Sequence, residues 1–164
     1  MWLVRYIKGI FKKPVIEPFH YPQCPAAPTL EQVEQSHFAR LQQDAINGDL
    51  DAQLILGFKH EMKGWKNDDD PLDYFRARGW YTRAAEQGYA DAQYFLACLY
   101  KKGLGIPPDN EKAAYWFRKA AEQGHSSAQY SLHISYRYGE GVPQNDDIAE
   151  YWLHKSNEPP TKTH

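Results

Sequence analysis

The chain has 164 residues, 42% of them hydrophobic, enough to bury one core without disulfide or metal staples. Lys and Arg number 19 against 21 Asp and Glu, and that balance excludes a general polyanion binder, which needs a basic excess. No apolar run reaches the roughly 18 residues that a membrane-crossing helix needs. Two cysteines, Cys24 and Cys98, make neither a disulfide framework nor a metal-binding spacing and leave the redox compartment open.

Residues 1–13, MWLVRYIKGIFKK, carry Arg5, Lys8, Lys12 and Lys13 with no acid, and Arg5 and Lys8 interrupt the apolar stretch that a secretory signal requires. Two readings stand: a cap on the open end of a helical stack, and a contact with an anionic membrane surface. Residues 14–28 place prolines at 14, 18, 22, 25 and 28, a spacing that forces an extended path, so residues 1–28 form an N-terminal arm. Thr29 and Gln32 then make a capping-box pattern. They open the first of seven expected helices, at 30–47, 50–62, 73–87, 89–102, 110–123, 126–138 and 146–156. Residues 158–164 read as a tail.

Repetition organises this series. AAEQG stands at 84–88 and again at 120–124, and Ala92, Gln93, Leu96, Tyr100, Gly103, Gly105, Pro107 and Trp116 all recur 36 positions later. An earlier copy places Ala52, Gln53 and Leu56 40 before their partners but Trp80 only 36 before Trp116, so it holds four extra residues within KGWKNDDDPLDYFRARG. Each copy reads as two helices around a glycine–proline turn, with Asp109 or Asn110 capping the second helix of the middle copy. The divisions are a degenerate copy at 29–48 and repeats at 49–88, 89–124 and 125–157, stacked into an all-α, right-handed α-α superhelix. The recurrent Trp80, Trp116, Trp152, Tyr100 and Tyr136 belong to its core rather than to a base-stacking platform.

AQYFLACLYKKGLGIPPDNEKAAYWFRKAAEQG resembles the Sel-one-like (Sel1) repeat, a relative of the tetratricopeptide solenoids. The family pattern runs Ala-x-x-x-Leu, then Tyr-x-x-Gly-x-Gly with Val-Pro, then Lys-Ala-x-x-Trp ending Ala-Ala-x-x-Gly. Ile106 replaces the valine here, and YGEGVP at 138–143 matches outright. The first copy departs: His60 stands where tyrosine is usual, and the longer insert replaces the Gly-x-Gly turn. The resemblance spans about 48–157 and implies a helical scaffold for protein contacts, without catalytic chemistry or cofactor. Small bacterial members are similar in build to secreted effectors, chaperone-like adaptors and immunity proteins that neutralise a toxin, so the expected partner is a protein such as a toxin or effector.

No residue pattern calls for an enzyme, a cofactor, a metal or nucleic acid. The acidic run Asp68, Asp69, Asp70 and Asp73 lacks the spaced ligands and glycine of a calcium loop and reads as a solvated insert, with Asp70 preceding a helix start at Pro71. His60 begins a zinc-helix pattern, but position 64 is Gly, not His. A site would need His60 or His133 to converge with two carboxylates. The informative positions are those that vary between copies on the exposed, concave face of each first helix. They are Asp51, Ile55, Phe58 and Met62; Asp91, Phe95, Cys98 and Lys102; and Ser127, Ser131, Ile134 and Tyr138. Two occupants suit this groove, a partner protein and the chain's own arm through Val15, Ile16, Phe19 and Tyr21. A cytoplasmic monomer is expected, with the periplasm and a membrane surface left open.

Overall fold

The computed structural model describes residues 29–66 and 70–158. The expected arm of 1–28, the tail beyond Glu158, and Asp68 and Asp69 lie outside the described residues. The chain divides into two compact units, 1–34 and 35–164. In the first, the capping box is made: the Thr29 N–H donates to Gln32 Oε1 at 2.9 Å, and the Gln32 N–H donates to Thr29 Oγ1 at 3.3 Å.

Among the described residues seven helices follow one another: α1 (Leu30–Ile46), α2 (Leu50–Lys66), α3 (Pro71–Glu86), α4 (Ala90–Lys102), α5 (Asn110–Glu122), α6 (Ser126–Tyr138) and α7 (Asp146–Asn157). No strand occurs among the described residues. In the second unit α2 pairs with α3, α4 with α5 and α6 with α7. Packing of α3 on α4 and of α5 on α6 joins the pairs. The result is an all-α solenoid of helix-turn-helix repeats.

Small residues set the spacing of the stack. Ala84, Ala85 and Ala92 at one junction, and Ala120, Ala121 and Ala128 at the next, are buried and let neighbouring helices approach closely. Larger side chains fill the space between, with Tyr81, Leu96 and Leu99 in one cluster and Phe117 and Leu132 in the next. Trp116 and Tyr100 are half-buried and pack against both clusters. A third cluster joins Ala45, Ala52 and Leu56 with Phe38, Leu41 and Trp80.

The turn glycines act at two levels. Gly103 closes α4 in the left-handed conformation, φ 69°, and donates its N–H to Leu99 O. Gly141 lies against the N-terminus of α5, where a Cβ would collide with the Asn110 carbonyl. The second glycine of the turn therefore sets the distance between a repeat and the one before it.

The buried glutamines hold the helix ends. Gln53, Gln93 and Gln129 donate Nε2 to the carbonyls of Ala45, Ala85 and Ala121 at 2.9, 3.0 and 3.1 Å. These last-turn carbonyls also accept from the N–H groups of Gly48, Gly88 and Gly124 at 3.2, 3.0 and 3.0 Å, and each takes its further bond from the next repeat. Gln87 and Gln123 in turn donate to Gln53 Oε1 and Gln93 Oε1 at 3.0 and 2.8 Å. The recurrence of this glutamine is thus hydrogen-bonding in origin.

The insert differs from expectation. α2 continues to Lys66 instead of ending at 62, and α3 starts at Pro71, before the 73 of the helix series, where Asp70 precedes it as expected and accepts from the Leu72 N–H at 2.9 Å as its N-cap. Part of the added length is therefore helix. Asp73 is not solvated: it is 1% exposed, with His60 Nδ1, Lys63 Nζ and Arg76 Nη1 each 3.3 Å from a carboxylate oxygen. Burial works to raise its pKa, but the hydrogen bonds from His60, Lys63 and Arg76 and the Lys63 charge outweigh it, and the carboxyl lies below its usual range.

Candidate protein-binding face

The first helices α2, α4 and α6 bury one side against the helix that precedes each of them, α1, α3 and α5, through Ala52, Gln53 and Leu56 and the matching Ala92, Gln93, Leu96 and Ala128, Gln129, Leu132. The positions that vary between copies fall on other sides of these helices. Ile55, Phe58 and Tyr138 are 47%, 49% and 69% exposed, and Asp51, Lys102 and Ser127 are exposed as well. Met62, Asp91, Phe95, Cys98, Ser131 and Ile134 are half-buried.

Several of these side chains already have work inside the stack. Phe95 stacks on Tyr81, ring centroids 5.5 Å apart, and receives the edge of Phe58 at 6.4 Å, which ties α2 to α4. The Tyr81 hydroxyl donates to Glu61 Oε2 at 2.8 Å, and burial together with that carboxylate pushes its phenol well above the ordinary value. Asp51 accepts from the Tyr89 hydroxyl at 2.6 Å. Asp91 Oδ1 lies 3.3 Å from His125 Nε2, at the equivalent seam one repeat later. His125 Nδ1 accepts from the Ala128 N–H at 3.2 Å, so Nε2 carries the proton toward Asp91. Ser131 Oγ donates to the Ser127 carbonyl at 2.9 Å.

Cys98 lies beside Tyr94 and Lys102. Burial pushes its thiol up, against the opposing Tyr94 hydrogen bond and Lys102 charge. A nucleophilic role needs the reverse shift. Tyr94, stacked on His125 at 4.6 Å, is a further aromatic beside this face. The four-three-four step along α4 passes over it, although its position next to Phe95 in sequence was the available signal.

Among the described residues neither His60 nor His133 converges with two carboxylates. His60 meets one carboxylate, Asp73, in the company of two cations. His133 Nδ1 lies 3.0 Å from the Ala149 carbonyl. Among the described residues no three His, Cys, Asp or Glu side chains are grouped to hold a metal, and no helix is long and apolar enough to cross a membrane.

Comparison with known proteins agrees with this geometry. The Sel1 repeat family model matches residues 50–89, 90–125 and 126–158, one unit for each helix pair of the second unit. A Sel1 repeat protein from Oxalobacter formigenes is 33% identical over 81% of this chain and 97% of its own, with a TM-score of 0.65. The protective antigen c5321 of uropathogenic Escherichia coli, which displays an SLR fold, is 35% identical with a TM-score of 0.64. The match covers 73% of this chain and only 25% of that one. Helicobacter pylori cysteine rich protein B, 18% identical with a TM-score of 0.56 over 78% and 89% of the two chains, shares the fold. Among curated proteins none matches.

Proposed function

Because the chain belongs to the Sel1 repeat family, whose solenoid supports a general role as a protein-interaction scaffold, we propose that it is a non-catalytic adaptor. It holds a protein partner on the face that α2, α4 and α6 present. The observation that carries this is the exposure of Ile55, Phe58 and Tyr138, large apolar side chains at the positions where otherwise similar repeats differ. A residue kept for packing recurs with the repeat; these do not. The partner is a protein such as a toxin or effector, which the adaptor neutralises or positions in the cytoplasm.

Phe58→Ser combined with Tyr138→Ser tests this reading. Both rings are about half exposed or more, so the helices survive their loss. Phe95 is the poorer choice, because its ring supports Tyr81. The double variant is expected to keep the wild-type far-UV circular dichroism and to lose a protein that wild type co-purifies from the source cell. Retention of that protein by the folded variant would place binding elsewhere, first at the insert of 64–79.

A further inference from the structure

The second helices carry two equivalent grooves near their C-terminal ends. One, of ≈ 510 Å³, is lined by Ile46, Gln53, Arg83 and Glu86, among others. Its counterpart one repeat later, of ≈ 500 Å³, is lined by Glu86, Gln93, Tyr115, Trp116, Lys119 and Glu122. Gln53 corresponds to Gln93, Arg83 to Lys119, and Glu86 of the first groove to Glu122 of the second.

Two replacements make these grooves chemically different. In the first, Arg83 lies over the Trp80 ring, its guanidinium carbon 4.7 Å from the centroid, so the chain supplies its own cation. In the second, Lys119 reaches instead toward Tyr115, at 5.8 Å, and Trp116 itself forms part of the wall. Ile46 is meanwhile replaced by Glu86, so two carboxylates, Glu86 and Glu122, now line one groove. Neither makes a hydrogen bond or ion pair among the described residues. Tyr115 packs edge-on against Trp116, centroids 5.1 Å apart, which fixes the aromatic wall. The C-terminal ends of α3 and α5 meet here too, and both add partial negative charge.

An indole face, two unengaged carboxylates and two helix C-termini suit a planar cation, which stacks on the ring and donates to the acids. The Arg83–Trp80 pair shows that a guanidinium fits at the equivalent place. We propose that the groove walled by Trp116, Glu86 and Glu122 receives an arginine side chain of a partner protein. This site is separate from the face of the first helices.

N-acetyl-arginine methylamide is the probe, titrated into the full chain and followed through the indole N–H signal of Trp116, which Trp116→Phe assigns. Saturation is expected with a dissociation constant on the order of millimolar, as befits one side chain. The citrulline analogue, which keeps the shape without the charge, leaves the signal in place, and the lysine analogue binds more weakly. Glu86→Gln with Glu122→Gln weakens arginine binding on the order of tenfold, the loss of two charge partners. Phe58→Ser with Tyr138→Ser leaves it unchanged. A Trp116 signal that arginine does not move overturns the proposal. So does equal binding of citrulline or lysine, or indifference to the loss of both carboxylates.

Discussion

Asp73 and Gln93 show how single buried polar groups hold this chain together. Asp73 keeps its carboxylate in the interior because His60, Lys63 and Arg76 surround it, and its pKa is held below the ordinary 3.8. A carboxyl with a depressed folded pKa adds stability above its unfolded pKa and loses it as pH falls through the folded value. Stability to urea is therefore expected to fall between about pH 5 and pH 2, and less steeply in Asp73→Asn, which cannot titrate there. Parallel curves for the two proteins would show that other carboxyls govern the acid limb. Gln93 bonds both the Ala85 carbonyl and Gln123. Gln93→Leu is expected to cost about 1 kcal/mol in urea denaturation, since it removes both of these bonds while the Ala85 carbonyl keeps the Gly88 N–H at 3.0 Å. Neither role was legible in the sequence. Periodicity weighs apolar positions, so a recurring glutamine registers as a repeat marker without a reason. Asp73 follows three aspartates and inherits their solvated appearance, and only the fold brings His60 and Lys63 to it from α2.

Helix boundaries were largely legible, because caps and breakers are local chemistry. Thr29 with Gln32, Asp70 before Pro71, and Asp109 and Asn145 before α5 and α7 all act as N-caps. Asn145 Oδ1 accepts from the Ile148 N–H at 3.0 Å, and Asn145→Ala is expected to cost about 1 kcal/mol. Hydrogen exchange quickening in the first turn of α7 ahead of its last would locate that loss. The misjudged element was α2. Gly64 suggests a helix end to a local reading, yet it lies inside the helix and is buried beneath the Tyr74 ring, where a Cβ would stand 3.1 Å from ring carbons. A tertiary contact from α3 thus explains a residue that propensity alone would call a breaker. The candidate face was legible in its spacing but not in its availability. Phe95, Asp51 and Asp91 fall where the four-three-four step puts them, yet each is engaged by a neighbour in the adjoining helix pair.

At the scale of the whole molecule, stability is a sum over repeats and the seams between them. Phe117 is 2% exposed and central to the cluster that joins α5 with α6, whereas Trp116 is half-buried and touches two clusters. Phe117→Ala is expected to cost about 3–5 kcal/mol, as for a large core side chain, and Trp116→Ala less. Native-state hydrogen exchange on Phe117→Ala should show α6 and α7 opening before α2 and α3. Uniform opening of α2 to α7 would mean that the seams couple too strongly for repeats to act separately.

The seam bonds also bear on how long such a molecule can be. Every bond between Gln93 and Ala85 has its equal between Gln129 and Ala121, and the contact of Tyr89 with Asp51 is answered by that of His125 with Asp91. A second copy of 89–124, inserted after Gly124, would find at both of its borders the donors and acceptors that it already uses. Duplication of such a segment within the gene therefore yields a foldable chain at once, with no further substitution required. Repeat number is a quantity that this architecture leaves free to drift, and selection for reach can act on it separately from selection for what each face binds.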